Sequence, residues 1–275
     1  MRFLMNYQNI PNDDVFDDSE LLLIKYARSF YKTFKKNIKF IQILFPSYKP
    51  HYVTIIFSIF LYIFFFGYNI YFFNKYNPLF IREDVLINIG INREIISNKL
   101  HFHKLITATL VHPNIWSLII NTYYLINLGI TVEKGYGRIH TIALMLFSSI
   151  CGNLLMCATA NCNEAQLGTS TILSGIMGLF LQEVTSNFKK IKGKIEIIGT
   201  YLFTIVPMYL TIAMFPHNGN IMGNLGGLFG GYCYPYIFNV IRMNRGPGNT
   251  ARLVHIGLMG LFLISLILSL LIIKC

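Results

Sequence analysis

Residues 222–232 read Met-Gly-Asn-Leu-Gly-Gly-Leu-Phe-Gly-Gly-Tyr, with five glycines in eleven residues. Such a stretch is a poor helix former in water, since each glycine disfavours a helix by about 1 kcal/mol relative to alanine. Yet it lies inside a long apolar run and carries one amide, Asn224. Bare backbone is useful where helices must touch closely in lipid. Gly226 and Gly230 form one G-x-x-x-G pair, and Gly227 and Gly231 form another. The stretch therefore predicts a membrane helix packed tightly against neighbours, with a polar group at the contact.

The rest of the chain agrees. Of its 275 residues, 54% are hydrophobic, and the mean hydropathy is +0.52. Apolar runs of about 18 residues or more suffice to cross a hydrocarbon core about 30 Å thick. Runs at 53–73, 105–128, 139–159, 171–183, 195–215, 221–241 and 253–273 predict seven spans, the fourth being short. The fold class expected is an all-α polytopic membrane protein, with a membrane domain over residues 51–275. The start of the chain lacks the basic and apolar segments of a signal peptide, so the first span is expected to target the protein.

Residues 1–50 read as a cytosolic arm. An acidic cluster (Asp13, Asp14, Asp17, Asp18, Glu20) precedes a stripe of Leu23, Ala27, Phe30, Phe34, Ile38 and Ile41 at helical spacing. Lys25, Lys32, Lys35, Lys36 and Lys39 fall largely outside that stripe. A basic amphipathic helix of this kind suits anionic lipid at the cytosolic face. The formal charge of +11 is explained by loop asymmetry rather than by nucleic acid, and no nucleic-acid partner is expected. Lys134, Arg138, Lys189, Lys190, Lys192, Lys194, Arg242, Arg245 and Arg252 share one side, while residues 160–166 and 216–220 carry no Lys or Arg. The positive-inside rule then predicts a cytosolic N-terminus and a lumenal or extracellular C-terminus. The loop at 74–104 is basic despite lying on the opposite side, but long loops obey the rule weakly.

The five cysteines, Cys151, Cys157, Cys162, Cys233 and Cys275, show neither metal-ligand spacing nor a disulfide framework. They read as small apolar residues. No metal or cofactor is expected.

Polar residues within spans are costly and tend to be functional. His112, Ser117 and Asn121 sit near the start of the second span, with 117 and 121 on one helical face. Asn153 lies in the third span, in Ser-Ser-Ile-Cys-Gly-Asn (148–153), and Ser174 and Gly175 lie in the fourth, in Ser-Thr-Ile-Leu-Ser-Gly-Ile-Met-Gly-Leu-Phe (170–180). The segment 132–138, Val-Glu-Lys-Gly-Tyr-Gly-Arg, reads as a cytosolic turn. In this order, residues 105–121, 128–138, 148–156, 174–180 and 224–231 resemble the rhomboid intramembrane serine proteases. The resemblance spans residues from about 86 to 241. It implies a six-helix core, with the run at 253–273 as an added seventh helix, and close packing of the sixth helix on Gly175 and Gly178 of the fourth.

The resemblance also implies a Ser–His dyad, with the serine in a Gly-x-Ser-Gly motif and oxyanion donors on the second helix. Here the histidine position holds Asn224, the oxyanion histidine position holds Ser117, and the oxyanion asparagine is Asn121. The serine position falls on Ser174 when the Ser-Gly pair is matched, and on Leu173 when the downstream Ile-Met-Gly-Leu-Phe is matched. The family's loop Trp-Arg pair falls on His103 and Lys104. An amide cannot act as a general base at physiological pH. His217 lies too far along the helix axis from Asn224, about 10 Å, to replace it. The expectation is a rhomboid-like pseudoprotease that binds single-span membrane proteins between the second and fifth helices, with Asn224 bonded to a polar group such as Ser174. Two alternatives stand beside it. One is an active intramembrane serine endopeptidase using Ser174 with a non-standard base. The other is a channel or transporter, which the absence of central charged residues in the spans disfavours.

Overall fold

The computed structural model describes residues 52–71, 79–81, 83–97, 100–162, 164–165, 167–188, 194–214, 221–238 and 249–272. The N-terminal arm, Lys189, Lys190, Lys192, His217, Arg242, Arg245 and Cys275 lie outside them. The described chain is all helical apart from an isolated bridge between Phe80 and Asn114. The first span is α1 (Val53–Tyr71). Three short helices follow, α2 (Glu83–Ile89), α3 (Arg93–Ser97) and α4 (Lys104–Thr107), the last running into a 3-10 turn at Ala108–Leu110. Then come α5 (Ile115–Tyr136), α6 (Arg138–Thr159), α7 (Ser170–Asn187), α8 (Lys194–Ala213), α9 (Ile221–Ile237) and α10 (Asn249–Ile272).

By length and hydropathy, α1, α5, α6 and residues Leu253–Leu270 of α10 can each cross a membrane, and α8 holds a shorter apolar stretch, Ile198–Leu210. Helices α7 and α9 are less apolar for a structural reason. Every residue from Ser170 to Phe180 is buried, so α7 meets other helices rather than lipid and tolerates small and polar side chains. It is the central post of the bundle.

The second span departs from its apolar run. The run begins at residue 105, but α5 begins at Ile115, because Asn114 has extended backbone (φ −153°, ψ 165°) and its side chain accepts a hydrogen bond from the Ser117 amide at 2.8 Å. That is an N-cap. At the other end, helix continues through the expected turn to Tyr136 and stops at Gly137, whose φ of 84° suits glycine.

Two seams organise the bundle. On α5, Gly129 and Glu133 stand one turn apart and face the start of α1. A Cβ on Gly129 would lie 2.6 Å from Thr54 Cγ2. The buried Glu133 carboxylate accepts from the amides of Val53 (2.9 Å) and Thr54 (3.1 Å) and from the Thr54 hydroxyl (3.0 Å). It caps α1 from a neighbouring helix and satisfies amides that have no partner within their own helix. The second seam joins α9 to α6 and α7 through its glycines. Gly226 and Gly230 face α6: a Cβ there would lie 2.7 Å from the Cys151 carbonyl oxygen and 3.0 Å from Cys151 Cβ, respectively. Gly227 and Gly231 face α7, where a Cβ would strike the carbonyl oxygens of Thr171 and Gly175. Gly178 answers from α7, against the backbone of Leu228. The two glycine pairs thus serve two partners, the third and fourth spans.

The loop helices α2–α4 are packed on this bundle. Ser149 Oγ and Asn153 Nδ2, one turn apart on α6, both donate to the Leu105 carbonyl, at 2.8 and 2.7 Å. Lys104 donates to the Asn88 carbonyl, and Arg93 reaches the Ser269 carbonyl at 3.4 Å. Helix α10 docks on α6 and α9. His255 stacks on Tyr236 with ring centroids 3.8 Å apart, and Phe262 meets Phe229 at 4.9 Å. Cys151, Cys157 and Cys233 are buried free thiols. Cys162 is disulfide-bonded, which corrects the expectation of no disulfide framework: cysteine spacing along a helical bundle carries no information about which ends meet.

Candidate functional site

The polar residues singled out in the sequence gather at one end of the bundle, where α5, α7 and α9 all begin. The start of α7 is held in place from the α4–α5 segment. Gly168, with φ 88°, donates its amide to the Ala108 carbonyl at 3.2 Å. His112 Nε2 lies 3.4 Å from Thr169 Oγ1. Ser170 follows as the first helical residue. It is fully buried, and its hydroxyl has no hydrogen-bond partner among the described residues.

Ser174 is placed one turn deeper and is already engaged. Its hydroxyl donates to the Ser170 carbonyl at 2.9 Å and accepts from the Tyr209 hydroxyl of α8, also at 2.9 Å. The expected bond between Ser174 and Asn224 is not among the hydrogen bonds of the described residues. Leu173 is fully buried in the apolar core with Leu118 and Leu125.

Asn224 is 3% exposed, and its amide oxygen has no partner among the described residues. Its level along α7 follows from the glycine seam. Helices α7 and α9 run parallel, with Gly227 against Thr171 and Gly231 against Gly175. Asn224 precedes Gly227 by three residues, about 4.5 Å of helix rise. It therefore stands level with the start of α7, beside Gly168–Ser170, and well above Ser174. On α5, Ser117 and Asn121 are both fully buried, and the Ser117 hydroxyl has no partner among the described residues. Buried hydroxyls and amides left without partners cost about 1–3 kcal/mol each. Among the described residues Ser117, Ser170 and Asn224 carry such atoms, as do Thr122, Ser148 and Thr171.

Ser170 was not singled out in the sequence. A signal for it exists: Gly168-Thr169-Ser170 is a Gly-x-Ser sequence, with Thr171 where a second glycine would stand. The pair Ser174–Gly175 masks it. Among the described residues, no group of three or more His, Cys, Asp or Glu side chains is arranged to hold a metal ion.

Comparison with known proteins matches this arrangement to a family. The Rhomboid domain profile covers residues 99–240. Rhomboid-like protease 1 of Toxoplasma gondii is 26% identical over 205 residues, covering 74% of this chain and 69% of that protein. RHOMBOID-like protein 6, mitochondrial, of Arabidopsis thaliana is 31% identical over 134 residues, or 49% of this chain and 43% of its own length. Inactive RHOMBOID-like protein 8 of the same plant is 23% identical over 138 residues, covering 50% of this chain and 38% of that protein. The match takes in the loop helix α4, the glycine seam and the polar group at the head of α7. This chain is a multi-pass integral membrane protein and belongs to the rhomboid family.

Proposed function

We propose that this protein binds transmembrane segments of client proteins without hydrolysing them. The observation that carries this reading is Asn224, an amide in place of the family's base, level with the head of α7. A serine hydroxyl is a weak nucleophile without a base, and an amide cannot take its proton. Ser170 occupies the serine position, in preference to Ser174 or Leu173. What supports it is Gly168, with φ 88° two residues before it, a hydroxyl without a partner among the described residues, and a level matched to Asn224. The Ser174 hydroxyl serves as a joint between α7 and α8. Ser117 and Asn121 occupy the oxyanion positions, of which only the asparagine keeps the family's residue.

Client segments enter between α5 and α8. Helix α8 supports this, since among its described residues six apolar side chains are exposed, Phe203 at 77% and Leu210 at 61% among them. The termini take the orientation given by the positive-inside rule, N-terminus cytosolic and C-terminus lumenal or extracellular, with the basic arm on anionic lipid. A photocrosslinker at Val206 on α8 tests client binding, with Leu261 on α10 as the control. An intact single-span partner captured at Val206 and not at Leu261 is expected. Equal capture at both positions counts against a binding rim at α8.

A second reading, an active endopeptidase, is favoured by one observation: His112 lies beside Thr169, the neighbour of Ser170. Its Nε2 is directed to the Thr169 hydroxyl, which suits a fastener between the α5 entrance and α7. Activity lost in both His112→Gln and Ser170→Ala, with both variants folded, would favour this second reading.

A further inference from the structure

We infer that Cys151, Cys233 and Met259 form a sulfur-only site for a soft metal ion of the Cu(I) class, buried where α6, α9 and α10 meet. The three side chains come from three helices and cluster together, at 0, 1 and 3% exposure. Both cysteines are free thiols. Positions 151, 233 and 259 lie too far apart in sequence to read as a metal motif.

Two registers bring the sulfurs to one level. Helix α6 meets α9 through Gly230, where a Cβ would lie 3.1 Å from Cys151 Sγ. Cys233 follows Gly230 by three residues, on the same face of α9, and the two thiols are near enough to interact electrostatically. Helix α10 runs antiparallel to α9, since His255 stacks on Tyr236 and Phe262 meets Phe229. Those contacts are seven residues apart on each helix. Met259, four residues on from His255, therefore falls level with Tyr232 and Cys233. Phe147, Phe229 and Phe262 pack around the group, an apolar shell that limits the access of water.

The donor set selects the ion. A single buried cysteine acts as a small apolar residue. Two thiols and a thioether converging from three helices are a set of soft donors. Thiolate and thioether sulfur favour Cu(I), whereas Mg, Ca and Mn take oxygen ligands. A structural zinc ion takes four Cys, His or carboxylate ligands, and the third donor here is a thioether. The thiolate is the ligating form, so each cysteine releases its proton to solvent as the ion binds, and no electron is transferred. The bound ion pins α10, which lies beyond the matched domain at residues 99–240, to the helices of the glycine seam. Neither client binding nor membrane orientation enters into this site.

The test loads the purified full-length chain with Cu(I) in detergent, under ascorbate and without oxygen, and strips loosely held copper with bathocuproine disulfonate. One equivalent retained is expected for the wild type, with X-ray absorption showing sulfur neighbours alone. Cys151→Ala and Cys233→Ala should each lose that equivalent, and Met259→Leu should release it at a lower chelator concentration. Cys157→Ala removes a buried free thiol outside the group and should retain it. Each variant is first checked for monodisperse elution, and the wild-type absorption spectrum decides where a variant does not fold. No copper held by the wild type, nitrogen or oxygen neighbours, retention unchanged in both Cys151→Ala and Cys233→Ala, or loss in Cys157→Ala would each overturn the site.

Discussion

The seam between α7 and α9 and the contact between α7 and α8 differ in what holds them. In the first, backbone meets backbone over the half nearer Ser170, and the hydroxyls of Tyr232 and Tyr236 bond Thr185 and Ser186 only beyond it. Gly227 and Gly231 are pressed onto carbonyls of Thr171 and Gly175, and no side chain could be added on either side. In the second, two tyrosines reach across: Tyr209 to the Ser174 hydroxyl at 2.9 Å and Tyr201 to the Met177 carbonyl at 3.2 Å. Close packing in lipid gains from many small dispersion contacts and leaves one arrangement. A few hydrogen bonds at an outward-facing helix are easily exchanged, each worth only about 0.6 kcal/mol on average in a membrane. The glycine seam that sets Asn224 level with the head of α7 is therefore the tighter contact, and the one between α7 and α8 the looser.

The largest effect should come from Gly231→Leu. The new side chain has backbone as its neighbour, which cannot move aside as a flexible side chain could. Loss of more than about 4 kcal/mol is expected, read as failure to recover monodisperse protein in detergent. A folded Gly231→Leu variant would show that the seam is not rigid. Next is Glu133→Gln, at the α1–α5 seam. The amide keeps the shape but loses the charge that receives the Val53 and Thr54 amides. Charge-assisted bonds of this kind are worth about 1.5–3 kcal/mol. A clear fall in thermal midpoint should follow, and an unchanged midpoint would remove Glu133 as the cap of α1. Tyr209→Phe should be milder, about 0.5–1 kcal/mol, with faster proteolysis or labelling confined to α8. Protection lost equally in α7 and α9 would contradict the difference between the two contacts. Smallest is Gly257→Ala on α10. A Cβ there meets nothing within 4 Å, so stability should change by less than about 0.5 kcal/mol.

Much of the fold was legible because apolar length and glycine spacing report directly on lipid and on close contact. The all-helical, polytopic plan and the family resemblance came from those features. Element ends were less legible. The start of α5 is decided by the Asn114 cap rather than by hydropathy, and its end by the backbone of Gly137. The site was legible in part. Ser117, Asn121 and Asn224, read from the family pattern, stand near the starts of α5 and α9. Ser170, the serine we propose, was hidden, because Thr171 breaks the Gly-x-Ser-Gly pattern and a Ser-Gly pair follows one turn later. Only the level of Asn224 against α7, fixed by which glycine meets which carbonyl, distinguishes the two serines. The bonds from Ser149 and Asn153 to Leu105 were not legible either, since they join residues 44 and 48 positions apart.

The measurement that bears most directly on the central claim is cleavage of a single-span substrate by the purified full-length chain in liposomes, beside an active rhomboid and the Ser170→Ala and Ser174→Ala variants. With Asn224 in the base position, the substrate should stay intact with this chain while the active enzyme cuts it. Product formed by the wild-type chain and lost in Ser170→Ala would contradict the account and establish a protease with a base other than residue 224.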